Sequence, residues 1–224
     1  MMNHRLSLIA LLLVLAFIHC STNSSIIIPI GRDIKIDGII EDFEWSDAWQ
    51  GNLVNGGEVF FKRNNSHLFI GIRGFEMGWS HLCVATPNQI LILHSSAALG
   101  AAIYQRTDQE FANPVDRFKW EMRDTTQSEV AIKARASYLD TNNWVASTAW
   151  MGNPFEREYI IKIEIFREHN AKIAVLYASD EEHPDYYYWP ASLSDDALNA
   201  NLAFGKTPDS LQFRIEQWAT LVFD

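Results

Sequence analysis

Apolar residues in this chain recur at every second position, in short runs bounded by turn residues, and that period constrains the fold more than any other feature. Glu129 to Tyr138 is the clearest run. Val130, Ile132, Ala134, Ala136 and Tyr138 fall on one side, with Glu129, Lys133, Arg135 and Ser137 on the other. Val59 to Phe61 leads to the turn signal Asn64-Asn65, and His67 to Arg73 resumes with Leu68, Ile70 and Ile72 on one face, which predicts a hairpin. Phe118 to Arg123, Trp144 to Trp150, Tyr159 to Ile165 and Leu211 to Glu216 alternate in the same way, while Ile90 to His94 and Ile173 to Tyr177 are continuously apolar. Ser95 to Ala102 is rich in small residues and fits either a strand packed close to another backbone or a short helix. Together these runs predict an all-β fold, an antiparallel β-sandwich of jelly-roll or immunoglobulin-like type.

The first twenty residues are set apart by composition. Arg5 precedes an apolar run from Leu6 to Ile18, broken only by Ser7, too short for an ordinary membrane span and suited to the core of a signal peptide. Cys20 and a polar S-T-N-S-S follow. The layout resembles a bacterial lipoprotein signal, with His19 standing where that pattern has a small residue. It implies lipidation of Cys20 and membrane anchoring through it; ordinary signal cleavage is the alternative. Either reading exports the protein to the cell envelope or beyond it. Residues 1–20 are therefore read as a signal peptide and 21–224 as one domain. The chain carries a formal charge of −10, and its leader contains one basic residue and no acid. Such acidity argues against nucleic acid and anionic membrane surfaces as partners and is compatible with neutral ligands.

Cysteine usage narrows the question further. With Cys20 in or beside the leader, only Cys83 remains, so no internal disulfide is expected and the fold rests on its core. Cys83 lies in the apolar run H-L-C-V-A, where a buried, inert thiol is expected.

Lys35 to Trp49, K-I-D-G-I-I-E-D-F-E-W-S-D-A-W, reads as the end of a strand at Ile36, an Asp37-Gly38 turn and a short acidic helical turn. Phe43, Trp45 and Trp49 are spaced to hold aromatics against a core, which makes the stretch a helical packing plug. The pattern I-x-I-D-G followed by Trp and then Ala-Trp resembles the opening of family 9 carbohydrate-binding modules and the wider sugar- and haem-binding sandwich group around them. His67–Arg73, Tyr159–Phe166 and Trp189-Pro190 add weaker support, and Ile90–Arg123 matches nothing in the pattern. The resemblance implies a non-catalytic glycan-binding module of a kind usually attached to a glycoside hydrolase, and allows a structural calcium ion; with one domain read in this sequence, a free-standing binding protein is expected instead. It also allows a sandwich for another ligand such as haem, with Met77, Met122 or Met151 and a histidine as axial ligands. The unmatched middle suggests a third possibility, an envelope interaction protein without a small ligand.

Sugar rings present C–H faces that stack on flat aromatics, while their hydroxyls take hydrogen bonds from charged and amide groups. The candidates for stacking are Trp79, Trp144, Trp150 and Trp189, with Trp120 and the run Tyr186-Tyr187-Tyr188 beside them. Core packing is the competing role for each. For Trp144 the outcome rests on strand register. Opposite Tyr138, both Trp144 and Trp150 would be buried; opposite Ser137 or Leu139, they would join Lys133 and Arg135 on an exposed platform. Asp180-Glu181-Glu182, Asp185 and Asp195-Asp196 are acidic clusters that could ligate calcium, although no D-x-D-x-D-G spacing occurs. The histidines show no H-x-x-x-H pair and the cysteines no C-x-x-C pair, so no zinc site is predicted. His94-Ser95-Ser96 with Asp116 offers triad residue types without a G-x-S-x-G elbow, and no catalysis is expected from them. Asn23-Ser24-Ser25 and Asn64-Asn65-Ser66 match the glycosylation acceptor pattern, whose use is not expected behind a bacterial-type leader.

Overall fold

A computed structural model describes residues 24–75, 77–106, 111–123, 128–148, 155–167, 171–179, 185–198 and 207–223. They form a two-sheet β-sandwich. The strands are β1 (Ser25–Ile27), β2 (Trp49–Asn52), β3 (Glu58–Arg63), β4 (His67–Gly74), β5 (Gly78–Ala85), β6 (Gln89–Ser95) and β7 (Ala98–Gln105). They continue as β8 (Phe111–Arg123), β9 (Trp144–Thr148), β10 (Phe155–Lys162), β11 (Lys172–Ser179), β12 (Tyr186–Trp189), β13 (Leu211–Gln212) and β14 (Ala219–Val222). The larger sheet runs β1-β14-β11-β5-β6-β7-β8-β13, with β12 also paired to β11; the smaller runs β2-β3-β4-β10-β9. Pairing is antiparallel except between β1 and β14.

The expected β3–β4 hairpin is present, and Asn64 makes it. Its side-chain oxygen accepts from the backbone N–H of Ser66 and His67 at 2.8 and 2.6 Å, closing an Asx turn. Alternation then sends Val59, Phe61, Leu68, Ile70, Ile72, Tyr159 and Ile161 inward to meet Leu82, Val84, Ile173, Val175 and Tyr177 of the other sheet. Ser80 marks the same face, because its hydroxyl hydrogen-bonds the Tyr159 hydroxyl across the sandwich at 2.7 Å. Small residues in Ser95–Ala102 resolve as a tight turn at Ser96-Ala97 followed by β7.

Several strand expectations are corrected. Glu129–Tyr138 is not a strand; Glu129–Asn142 is a helix, α2. Ser128 Oγ caps its start by accepting from Ala131 N–H at 3.2 Å, and Asn143 ends it in the left-handed region at φ 64°. Its packing face is Ala131, Arg135, Tyr138, Leu139 and Asn142, a helical spacing, while Val130 and Ile132 point to solvent. Alanine, lysine, arginine and glutamate are good helix formers, and here propensity overrides an alternation in which two of the five apolar positions are alanine. The run from Tyr159 breaks after Lys162 into the short helix α3 (Glu164–Arg167), and Leu211–Glu216 yields only β13 before a 3-10 turn at Ile215–Gln217. No ladder carries residues 31–36, so no strand ends at Ile36.

The plug lies on the outer face of the smaller sheet. Its helix, α1, spans Asp42–Trp45. Trp45 is buried and Trp49 half-buried, whereas Phe43 is exposed, contrary to its expected place in the core. Charge fixes the plug as much as packing does. Glu158 Oε2 accepts from Asp37 and Gly38 N–H at 3.0 and 2.8 Å, and its Oε1 accepts from Trp45 Nε1 at 3.2 Å. Burial pushes the Glu158 carboxyl up to about 8, against these three donors, which favour its ionised form. Glu156 accepts from Ile40 N–H at 3.0 Å and from Arg73 Nε at 2.9 Å, and Arg73 also reaches Glu58, Asp42 and the Ile40 carbonyl. Lys62, fully buried, donates to the Glu44 carbonyl and to Asp47 at 2.9 Å while lying over the Trp45 ring.

Candidate functional site

One end of the sandwich gathers the β2–β3 loop, the β4–β5 connection, the β6–β7 turn and the start of β12. The β4–β5 connection is G-F-E-M-G-W. Gly78 at its far end must be glycine, since a Cβ there would lie 2.0 Å from the Ala178 carbonyl oxygen. That close approach to β11 turns the chain so that Phe75 and Met77 project outward, 60% and 70% exposed. Phe75 rests on Gly56 of the β2–β3 loop, where a Cβ would meet the ring at 2.5 Å and φ is +117°.

The β2–β3 loop is in turn tied to β12. Val54 N–H donates to the Tyr188 carbonyl at 2.8 Å, and Asn55 Nδ2 donates to the Tyr186 carbonyl at 2.9 Å. Trp79, Ala178 and Tyr186 form one row across β5, β11 and β12, with the Trp79 and Tyr186 rings edge to face at 6.5 Å. The next row is Tyr188, Leu176, His81 and His94. Both tyrosines are half-buried. Beneath Trp79 the imidazoles of His81 and His94 approach to 3.2 Å between their Nδ1 atoms, and both rings are fully buried. Burial pushes His81 down to about 3 and His94 well below its usual range, the latter helped by His81 and Arg157, so both are neutral at physiological pH. Arg157 braces this end by donating to the carbonyls of Ser96 and Gly78 at 3.2 and 3.3 Å.

The structure separates most of the residues expected to act together. Trp79 does belong to this end, with Tyr186 and Tyr188, but it is only 5% exposed; the exposed aromatic of its loop is Phe75. Trp189 points to the opposite face of β12 and packs on Trp49 and Phe61 at 5.4 and 5.1 Å. Trp144 faces inward, opposite Ile161 of β10, and stacks on Tyr159 at 6.3 Å. The anticipated Trp144 platform does not form, because α2 replaces the strand it was to pair with. Arg135 is buried on that helix and Lys133 exposed on it. Trp150 lies outside the described residues, as do Met151 and Asp180–Glu182, and so does the side chain of Trp120. Met77 is exposed and Met122 packs against the core between the sheets, so neither approaches the histidine pair as an axial ligand would.

Asp195 accepts from Trp218 Nε1 at 2.8 Å and from Arg214 and Ala197 N–H, while Asp196 accepts from Gln212 N–H at 2.7 Å. These carboxylates close the segment that covers the outer face of the larger sheet. Among the described residues no group of three or more His, Cys, Asp or Glu side chains could hold a metal ion. Cys83 is buried on the same sheet, and burial pushes its thiol above the ordinary range. The pleat sends His94 and Ser95 to opposite faces, and Asp116 is exposed beside Lys119. His81 and Phe75 were missed from sequence. The signal for His81 was W-S-H, which puts it on the Trp79 face; for Phe75 it was the pair of glycines around F-E-M.

No protein-family model matches the sequence, and no curated protein does. Among solved structures the chain is similar to a candidate carbohydrate-binding protein from Bacteroides uniformis, with a TM-score of 0.48, 12% identity, and coverage of 90% of this chain and 99% of that one. It is also similar to a family 9 carbohydrate-binding module from Caldicellulosiruptor kristjanssonii, solved with glucose (TM-score 0.46, 8% identity, 90% and 97% covered) and with cellotriose (0.45, 8%, 90% and 95%). The likeness is one of architecture.

Proposed function

We propose that this chain is an exported, non-catalytic carbohydrate-binding protein that takes a neutral glycan at the Phe75 end of the sandwich. The observation that carries the reading is Phe75 itself, an aromatic ring held out to solvent by a glycine-bracketed loop and resting on Gly56, at the same end of the sandwich as the Trp79–Tyr186 pair. An exposed ring costs solvation and returns nothing to the core, whereas it suits the C–H face of a pyranose. The acidic chain disfavours anionic glycans. The resemblance of Ile34–Trp49 to family 9 modules points the same way. Trp79 packs on Tyr186 and the histidine pair at the same end, and Trp150 keeps the ligand-contact role expected from its sequence.

A glycan array on residues 21–224 tests the reading. Binding of one or more neutral oligosaccharides, competed by the free sugar, is expected; an array with no signal overturns it. Export is tested separately, by mass spectrometry of the mature N-terminus. A lipid-modified Cys20 is expected, and an unmodified terminus elsewhere removes the anchor while keeping the export.

A further inference from the structure

Asn55 occupies a position that glycine would fill at less cost. Its φ is 69°, and the next two residues, Gly56 and Gly57, are also left-handed at 117° and 90°. Three successive positive-φ residues make a loop whose shape glycine satisfies freely, and a non-glycine residue there stores strain. Asn tolerates the region better than most side chains, yet glycine is still the cheaper residue. Something the side chain does must offset the difference.

Part of the answer is the tether. Asn55 Nδ2 donates to the Tyr186 carbonyl at 2.9 Å, joining the β2–β3 loop to β12. That bond also fixes the amide plane. A carboxamide has two N–H donors and one oxygen with two lone pairs. With one N–H held by Tyr186, the other N–H and Oδ1 are presented in a set orientation on an exposed residue. The neighbouring residue, Gly56, is the one on which the Phe75 ring rests. A stacking ring on the β4–β5 connection and an oriented donor–acceptor pair on the β2–β3 loop therefore sit side by side. Leu53 N–H to the Gly57 carbonyl at 3.1 Å, Gly56 N–H to the Leu53 carbonyl at 3.2 Å and Val54 N–H to the Tyr188 carbonyl hold the β2–β3 loop.

We propose that Asn55 is a specificity-determining residue of this face, its side-chain amide reading two neighbouring hydroxyls of the sugar ring stacked on Phe75. The proposal rests on the carbohydrate-binding reading. Donor and acceptor adjacent in one plane match a vicinal diol, one hydroxyl accepting from Nδ2 and the other donating to Oδ1. Inverting either hydroxyl breaks one bond and leaves a polar group facing the ring edge, so the amide sorts epimers, whereas Phe75 accepts any sugar with an apolar face.

The test compares wild type, Asn55→Gly, Asn55→Asp and Phe75→Ala by calorimetric titration against the best array oligosaccharide and its epimers. Asn55→Gly keeps the backbone conformation, and Asn55→Asp keeps shape while removing both donors. Both are expected to melt within a few degrees of wild type, to bind the preferred sugar about tenfold more weakly, and to lose discrimination between epimers. Phe75→Ala is expected to weaken all of them together. Asn55 variants that weaken every epimer by one common factor, or none, reduce Asn55 to a tether and overturn the proposal alone, provided Phe75→Ala loses binding. A wild type that binds no saccharide overturns this proposal together with the function it rests on.

Discussion

The outer face of the smaller sheet and the Phe75 end of the sandwich are both built around aromatics next to glycine turns, and they end in opposite states. On the first, Trp45 is covered, its indole N–H bound to Glu158 and its ring flanked by Lys62, with Arg73 holding Glu58, Glu156 and Asp42 around it. On the second, Phe75 and Met77 stand in solvent over a loop pinned from below. The difference shows that aromatic content does not identify a binding face. What separates the two is whether polar partners close over the ring. A ring with a charged frame around it is structure, and a ring held out on a rigid loop is available.

Truncating the structural ring should give the largest effect on stability. Trp45→Ala is expected to cost about 3 to 5 kcal/mol, as large aromatic truncations in cores do, while affinity per folded molecule stays at the wild-type value. Urea unfolding with parallel glycan titration checks both. An unchanged midpoint with lost binding would move the site to the plug and reverse the comparison.

The histidine pair gives the next effect, in acid. His81 is buried neutral with its pKa lowered to about 3, below the ordinary value of 6.5, so the unfolded chain binds more protons across that interval. Stability from this group is therefore complete above about pH 6.5 and is lost as pH falls toward 3, with a slope of at most about 1.4 kcal/mol per pH unit for each histidine. Urea midpoints from pH 7.5 to pH 4.5 should fall steadily. His81→Gln is expected to flatten that fall, and an equal slope in the variant would remove His81 as the cause.

Phe75→Ala should behave as the inverse of Trp45→Ala. Binding is expected to weaken on the order of thirtyfold, the effect of losing one interfacial hot spot of about 2 kcal/mol, with unfolding changed by less than about 0.5 kcal/mol. Smallest of all is Lys133→Ala. Its side chain stands exposed on α2, and neither affinity nor stability should move by more than about 0.5 kcal/mol. A marked affinity loss there would place a second contact surface on the helix.

Period-two patterning exposed the sandwich wherever branched and aromatic residues carried it, as in β3, β4 and β10. It misled at Glu129–Tyr138, where alanines fit either period and only Ser128 and Asn143 signalled a helix. Trp144 followed that error, since its expected register depended on a strand that is not there. The plug was legible because I-D-G and the spaced indoles are local features. The exposed residue of G-F-E-M-G-W was not, because whether Phe75 or Trp79 faces water depends on where β5 resumes, and that is set by the close approach of Gly78 to Ala178. His81 was hidden for a related reason: only the pairing of β5 with β6 brings it against His94.

Ligand is expected to meet the molecule at Phe75 and to leave the plug untouched. Titrating isotopically labelled protein with the best array oligosaccharide and following backbone amide and indole signals tests it directly. Shifts are expected to cluster at Asn55, Gly56, Phe75, Met77 and Tyr186, with the Trp45 indole signal fixed throughout. Saturable shifts centred on Trp45, Gly38 and Lys62, with the Phe75 loop unmoved, would contradict it.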